Sequence, residues 1–141
     1  TPGTFTVFSG PLEISNWTQT FVPVGQGGSI ITSNAPTSIT MIRGDSGVQA
    51  NAYILINITS PQTVNVVWNF TTVDGPKYDP FLYTVDGTNY IQLTNNSGPQ
   101  SQNGSFSLNL VPGNVFGFRV WTTDGIVGSS TTIISGTREV T

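Results

Sequence analysis

The chain has 141 residues and a net charge of −3, and only 8% of its residues are charged, so Thr, Ser, Asn and Gly supply most of its polarity. This length predicts one domain, the scattered basic residues offer no surface for nucleic acid, and no apolar run approaches the roughly 20 residues that cross a bilayer. The absence of His and Cys excludes the common Ser-His-Asp triad, zinc sites of the usual ligands and disulfides.

The N-terminal segment, residues 1–11, is predicted to hold a strand that can pair in two ways. Thr4, Phe5, Thr6, Val7 and Phe8 alternate, and Ser9-Gly10-Pro11 detaches them from residues 12–141, the predicted sandwich domain. Such a strand either closes its own sheet or is donated to the next copy, and open head-to-tail donation builds a filament. Strand edges with almost no charge favour such pairing, or cover by glycans. Because the chain begins at Thr1 rather than Met, we expect that a signal peptide has been removed.

The rest of the chain shows short runs of β-branched and aromatic residues, separated by Gly, Pro, Asn and Asp. No window has the sustained i, i+3, i+4 stripe of a helix, so the pattern is typical of a sandwich or barrel. The predicted strands are 4–8, 12–21, 29–32, 37–43, 52–59, 63–71, 80–85, 89–94, 105–110, 115–122 and 131–134.

Three of these strands alternate clearly enough to predict which side chains face the core. The inward rows are Ile54, Ile56 and Ile58; Val64, Val66, Trp68 and Phe70; and Phe116, Phe118 and Val120. The opposite faces hold Tyr53, Leu55 and Asn57; Asn65, Val67 and Asn69; and Gly117, Arg119 and Trp121. Asp86-Gly87 predicts a tight hairpin turn, and Asp74-Gly75-Pro76 and Asp124-Gly125 predict further turns.

The acidic residues give little support for catalysis or metal binding. A glycosidase needs two carboxyl groups across a cleft, but most of the Asp residues lie in turn-like contexts, so we expect no catalytic residue and no enzyme activity. Asp74 and Asp79 share one loop and are weak calcium candidates. Their spacing is not that of an EF-hand, and local turn hydrogen bonds are the favoured explanation. We expect no cofactor.

Five Asn-x-Ser/Thr sequons are candidate glycosylation sites, at Asn16, Asn57, Asn69, Asn95 and Asn103. Asn57 and Asn69 lie on predicted outer faces, and Asn95 and Asn103 lie in a predicted Gly/Ser/Gln-rich loop, so these four are expected to be exposed. Asn16 shares its predicted face with Leu12 and Ile14, which makes its sequon weaker. Unmodified polar surface is the alternative for all five.

Exposed aromatic rings can stack on sugars, and Trp121, Tyr78 and Tyr83 are the rings whose positions allow exposure. They lie on separate elements, and burial in the core is the favoured explanation for each of them.

Short sequence words over residues 33–136 resemble a group of secreted bacterial β-sandwich proteins, common in cyanobacteria, that have a PEP-CTERM type sorting tag. The words are Ala35-Pro36-Thr37-Ser38-Ile39-Thr40, Trp68-Asn69-Phe70-Thr71-Thr72, Tyr78-Asp79-Pro80-Phe81, Gln92-Leu93-Thr94, Gly104-Ser105-Phe106-Ser107, Phe116-Gly117-Phe118-Arg119-Val120 and Thr122-Thr123-Asp124-Gly125, followed by residues 131–135. The resemblance implies export to the cell surface or matrix, often alongside exopolysaccharide, with no assigned enzyme activity. Residues 136–141 depart from the group, since they include no Pro-Glu-Pro and no apolar tail.

Together these observations predict an all-β, two-sheet antiparallel sandwich, jelly-roll or immunoglobulin-like, with strand exchange as a way to complete it. The predicted function is that of an extracellular structural glycoprotein, a subunit of a surface filament or matrix assembled by head-to-tail strand exchange. The alternative is a carbohydrate-binding or adhesive module that acts as a monomer. The expected partners are copies of the chain itself and N-linked glycans or exopolysaccharide.

Overall fold

The computed structural model describes residues 4–22, 29–35, 37–42, 50–72, 80–95, 97–122 and 130–140, and it confirms the all-β fold. Two short 3-10 turns, Gly10–Leu12 and Ile14–Asn16, precede the second strand. The strands in the described ranges are β1 (Thr4–Thr6), β2 (Thr18–Val22), β3 (Ser29–Ile31), β4 (Ser38–Ile42), β5 (Ala50–Asn57), β6 (Gln62–Thr72), β7 (Phe81–Thr84), β8 (Tyr90–Gln92), β9 (Ser101–Leu110), β10 (Val115–Thr122) and β11 (Ser130–Val140).

The strands form two antiparallel sheets that pack face to face as a β-sandwich. The six-stranded sheet has the order β3-β4-β11-β6-β9, with β1 also paired to β11, and the five-stranded sheet has the order β2-β5-β10-β7-β8. Among the described strands, β3–β4 and β7–β8 are hairpins, and every other connection crosses from one sheet to the other. Consecutive strands of the chain therefore lie mostly in opposite sheets, and most strands pair with a strand that is distant in the sequence.

The three predicted apolar rows are buried between the sheets, as the alternation required. Trp17 joins them from the turn before β2. Its ring lies 5.6 Å from that of Phe8 and 5.7 Å from that of Phe116, and its indole nitrogen donates a hydrogen bond of 2.8 Å to the carbonyl of Leu12. The donor of a large buried ring is thereby satisfied, which burial in an apolar core requires.

Three predicted strand boundaries are wrong. Residues 12–16 are turns rather than strand, because the positive φ of Gly10 and the Pro that follows it start a 3-10 turn, and strand structure begins only at Thr18. The last strand runs over Ser130–Val140 rather than 131–134, since its polar second half is paired on both sides. Strand β9 begins at Ser101 because a polar edge strand needs only backbone pairing with β6.

The N-terminal segment lies within its own chain in this structure. Thr4–Thr6 pairs with residues 137–139 of β11, and the amide of Val7 donates to the carbonyl of Gly136 at 3.2 Å. Val7 and Phe8 then enter the core, where both are almost completely buried. The edge that a donated strand would occupy is thus filled by the same molecule, and strand exchange stays a prediction.

Arg138 ties this segment to the sandwich from the buried side of β11. Its Nε donates to the carbonyl of Ser9 at 2.8 Å, and its Nη1 donates to Oε1 of Gln62 at 3.1 Å. Its guanidinium also lies 4.6 Å from the centre of the Phe5 ring. Because a buried guanidinium needs acceptors, these contacts favour a docked N-terminal segment.

Candidate functional site

The outward-facing side chains of the five-stranded sheet form the candidate site. Every second residue of β5 and β10 points away from the core, since the residues between them are packed inside. The register places Tyr53 opposite Arg119 and Asn51 opposite Trp121. Tyr90, at the start of β8, shares this face through the register of β8 with β7 and of β7 with β10.

Arg119 lies at the centre of three aromatic rings. Its Cζ is 5.5 Å from the ring centre of Tyr53, 5.5 Å from that of Tyr90 and 5.1 Å from that of Trp121. Its Nε donates a hydrogen bond of 2.8 Å to Oδ1 of Asn51. These contacts hold the guanidinium in place, and we call Tyr53, Tyr90, Arg119 and Trp121 the arginine–aromatic cluster.

The two tyrosines meet although two strands lie between β5 and β8. With about 4.8 Å between neighbouring strands, roughly 14 Å separates their backbones, yet their ring centres are 5.8 Å apart, so both rings lean across the face. Gly117 of β10 lies between them and has no side chain of its own. Leu55 covers it, and a Cβ at this position would collide with Leu55 Cδ2 and the Ile54 carbonyl. The lack of a side chain at Gly117 therefore leaves space between the two tyrosines at the centre of the face.

A groove of about 310 Å³ lies on this face, lined by Thr20, Tyr53, Leu55, Gly87 and Tyr90. Leu55 and the two tyrosine rings supply apolar lining, and Thr20 adds a hydroxyl group. Burial, followed by the neighbouring Tyr53, raises the pKa of Tyr90 above its usual range. A tyrosine hydroxyl is protonated at neutral pH even without this shift, so Tyr90 can donate a hydrogen bond.

The predicted hairpin at Asp86-Gly87 is confirmed and positions Tyr90, but residues 85–89 connect its strands, a longer link than the predicted tight turn. Oδ1 of Asp86 accepts from the amides of Asn89 at 2.7 Å and Thr88 at 2.9 Å, and Gly87 has the positive φ of 83° that the turn needs. The hydrogen bonds from Asn89, with that from Thr88, hold the pKa of Asp86 well below its usual range. The pKa of Asp86 is low because its carboxylate accepts hydrogen bonds within its own turn, so the low pKa reflects the structure of the turn.

Trp121 adds an unsatisfied donor to the same face. Its half-buried indole covers Arg119, and its Nε1 is buried without a hydrogen-bond partner among the residues that the structure describes. Leaving such a donor unpaired costs about 1–3 kcal/mol, and groups of this kind are uncommon in native proteins.

The structure separates the three predicted sugar-stacking residues. Trp121 lies on the outer face, as its position allowed, whereas Tyr83 faces inward and stacks on Phe106 at 4.5 Å, which is the core packing that we favoured for this ring. Tyr78 lies outside the described residues. The alternation of residues predicts that Tyr53 and Arg119 lie on outer faces, but it does not predict that they are neighbours. No sequence pattern pointed to Tyr90.

All five sequon asparagines are exposed, Asn16 included. Asn69 and Asn103 are direct cross-strand partners on the outer face of the six-stranded sheet. The predicted loop position of Asn103 is wrong, since it lies within β9, whereas Asn95 does lie in a loop. Asn16 and Asn57 line a separate groove of about 210 Å³ on the other sheet. Their glycosylation stays a prediction.

The other candidate features give no site among the described residues. Asp74 and Asp79, with the turns predicted at 74–76 and 124–125, lie outside the described residues. Within the described ranges, no group of three acidic, His or Cys side chains could hold a metal ion. A groove of about 330 Å³ near the N-terminal turns is lined by Phe8, but this ring is almost fully buried. Among the described residues, no helix has the length and apolar character needed to span a membrane.

Comparison with known proteins identifies the fold and no family. No protein-family model matches the sequence, and no curated protein matches it significantly. The chain resembles the K2 cleaved adhesin domain of Lys-gingipain, with a TM-score of 0.52, 15% identity and 100% of both chains covered. It also resembles the K1 cleaved adhesin domain of Lys-gingipain from Porphyromonas gingivalis W83, with a TM-score of 0.52, 9% identity, and 99% of this chain and 97% of that chain covered. A family 16 carbohydrate binding module matches with a TM-score of 0.48 and 13% identity over 82% of this chain and 85% of that chain. The two likenesses to adhesin domains agree with the β-sandwich fold.

Proposed function

We propose that the chain is a carbohydrate-binding or adhesive module that binds glycans on the outer face of its five-stranded sheet. The main observation behind this proposal is the arginine–aromatic cluster beside an open groove. Sugars present flat C–H faces that pack on aromatic rings, while their hydroxyls need fixed polar partners. Tyr53, Tyr90 and Trp121 supply rings, and Arg119 supplies donors that Asn51 holds in place.

The position of the cluster on a sheet also favours binding. Side chains on paired strands are held more precisely than those on loops, so a ligand would meet a largely pre-formed surface. A rigid surface loses little conformational entropy when it binds. The proposed role is binding alone, with no catalytic step assigned to the chain.

A role at the cell surface or in the extracellular matrix agrees with this proposal. The resemblance to PEP-CTERM type proteins implies export alongside exopolysaccharide, and a glycan-binding face would have its ligand in that setting. Strand exchange into a filament is the weaker proposal, because Thr4–Thr6 already pairs with β11 of its own chain and no observation on the described residues favours its release.

Removal of both tyrosine rings tests the proposed function. The double variant Tyr53→Ala, Tyr90→Ala is expected to weaken binding to any polysaccharide that the wild type retains by about tenfold or more, equivalent to at least roughly 1.4 kcal/mol. Affinity electrophoresis against a panel of neutral and acidic polysaccharides measures the retardation of both proteins.

Phe5→Ala is the matched control, since Phe5 is an exposed ring on the other sheet and should not affect retardation. A wild-type protein that no polysaccharide retards, or a double variant retarded as strongly as the wild type, would contradict the proposed function.

A further inference from the structure

We propose that the glycan bound by this face is acidic, and that Arg119 pairs with the carboxylate of a uronic acid residue. This inference rests on the proposed function and narrows its ligand class. The observation behind it is a partly buried cation that lies among aromatic rings and has no acidic partner among the described residues.

Arg119 has no ion pair with any carboxylate in the described part of the chain. The carboxylates there belong to Glu13, Asp86 and Glu139. Glu13 accepts from the Ser15 hydroxyl near the N-terminal turns, and Glu139 lies in β11 of the other sheet. Asp86 is nearest to the cluster in the fold, but the backbone and side chains of its own turn occupy its oxygens.

Within the described part of the chain, the hydrogen bonds of Arg119 leave its outer edge available. Its Nε is used by Asn51, and no hydrogen bond of the described residues involves Nη1 or Nη2. These two groups hold four of the five N–H donors of a guanidinium, in a planar arrangement that matches a carboxylate through two parallel hydrogen bonds. The surrounding rings limit access of water, and a charge pair in such surroundings is stronger than one in open solvent.

The rings place a sugar where its carboxylate would reach this edge. In a uronic acid the carboxylate projects from the edge of the pyranose ring, away from the C–H face that packs on an aromatic ring. The guanidinium lies over the three rings, 5.1–5.5 Å from their centres, and Tyr53 and Tyr90 also line the open groove. A sugar that packs on these two rings from the groove side can therefore bring its carboxylate to Arg119.

The number of cations on this face favours a ligand that places one carboxylate there over a ligand that needs several basic residues. Arg119 is the only cation among the described residues on this face. Sulfated or phosphorylated polymers, which bind to clusters of basic residues, match the face less well than uronic acid polymers.

Matched pairs of polymers test this inference. Polygalacturonate, alginate and hyaluronan are compared with their carboxyl-reduced derivatives, which keep the chain but lack the charge, in isothermal titration with the wild type, Arg119→Leu and Arg119→Lys. The wild type is expected to bind at least one acidic polymer about tenfold or more tightly than its reduced form. Arg119→Leu is expected to lose this preference, and Arg119→Lys to retain part of it because the charge remains without the planar geometry.

The outcomes separate this inference from the proposed function. Equal binding of acidic and reduced polymers, or an acidic preference that Arg119→Leu retains, would overturn the uronate assignment while the glycan-binding role stands. Stronger binding to heparin than to every uronate polymer would also overturn it. If no polymer, acidic or neutral, binds the wild type, both proposals fail. Unfolding midpoints of the two variants near that of the wild type show that a loss of binding is not a loss of fold.

Discussion

Phe8→Ala is expected to lower the free energy of unfolding by about 3–5 kcal/mol, a large part of the stability of a domain of this size. Phe8 is 1% exposed, and its ring packs edge to face on Trp17 at 5.6 Å. Its removal would leave a cavity beside the tryptophan that fills this end of the core. Equilibrium denaturation in urea measures the change.

Phe5→Ala is the control from the same segment. Phe5 is 46% exposed and contacts mainly Arg138, so its loss is expected to cost about 1 kcal/mol or less. The unfolding midpoint of the wild type should not depend on protein concentration, because the segment docks within its own chain. A midpoint that rises with concentration would show that the segment belongs to a second copy, as strand exchange requires. Equal and small effects of the two variants would show that the segment does not dock as described.

Gly136→Ala is expected to destabilise the domain by about 3 kcal/mol or more. Gly136 has a φ of 129°, and it lies where β11 changes its partner from β4 to β1. An alanine there would be strained by this φ, and its Cβ would collide with the carbonyl oxygen of Asn65 on β6. Thermal or chemical unfolding of the purified variant measures the loss.

Gly113→Ala separates the two causes. Gly113 also has a positive φ, of 99°, but an added Cβ would meet no atom within 4 Å. Its substitution is expected to cost only the conformational strain, about 1–2 kcal/mol. If Gly136→Ala costs no more than Gly113→Ala, then β11 does not pack against Asn65 as the structure shows.

The alternation of apolar and polar residues along single strands correctly predicted which side chains face the core. The faces of β5, β6 and β10 were assigned correctly because each strand has one wholly apolar row, and a slip by one residue would expose that row. Alternation failed between residues 12 and 17, where Leu12, Ile14 and Asn16 mimic one strand face but occupy two 3-10 turns. It also missed polar stretches such as residues 101–104, because backbone pairing holds an edge strand without apolar side chains.

The candidate site was less predictable, since it depends on pairing between distant strands. Tyr53 and Arg119 were placed on outer faces, but only the register of β5 with β10 makes them neighbours. Tyr90 joins them through the Asp86-Gly87 hairpin, a turn that the sequence predicts without indicating which face its next residue takes. No face could be assigned to Tyr83 from the sequence, because both alternating rows of 81–85 contain apolar residues and the pattern does not show which row faces the core.

Mapping of a bound glycan on the backbone tests the central claim most directly. Amide chemical shifts of the wild type are followed by NMR while an oligosaccharide from the best-retained polysaccharide is titrated. The largest changes are predicted in residues 51–55 of β5, 117–121 of β10 and 86–92 around β8. Changes confined to the six-stranded sheet or to the N-terminal turns would show that glycans bind elsewhere and would contradict the assignment of this face.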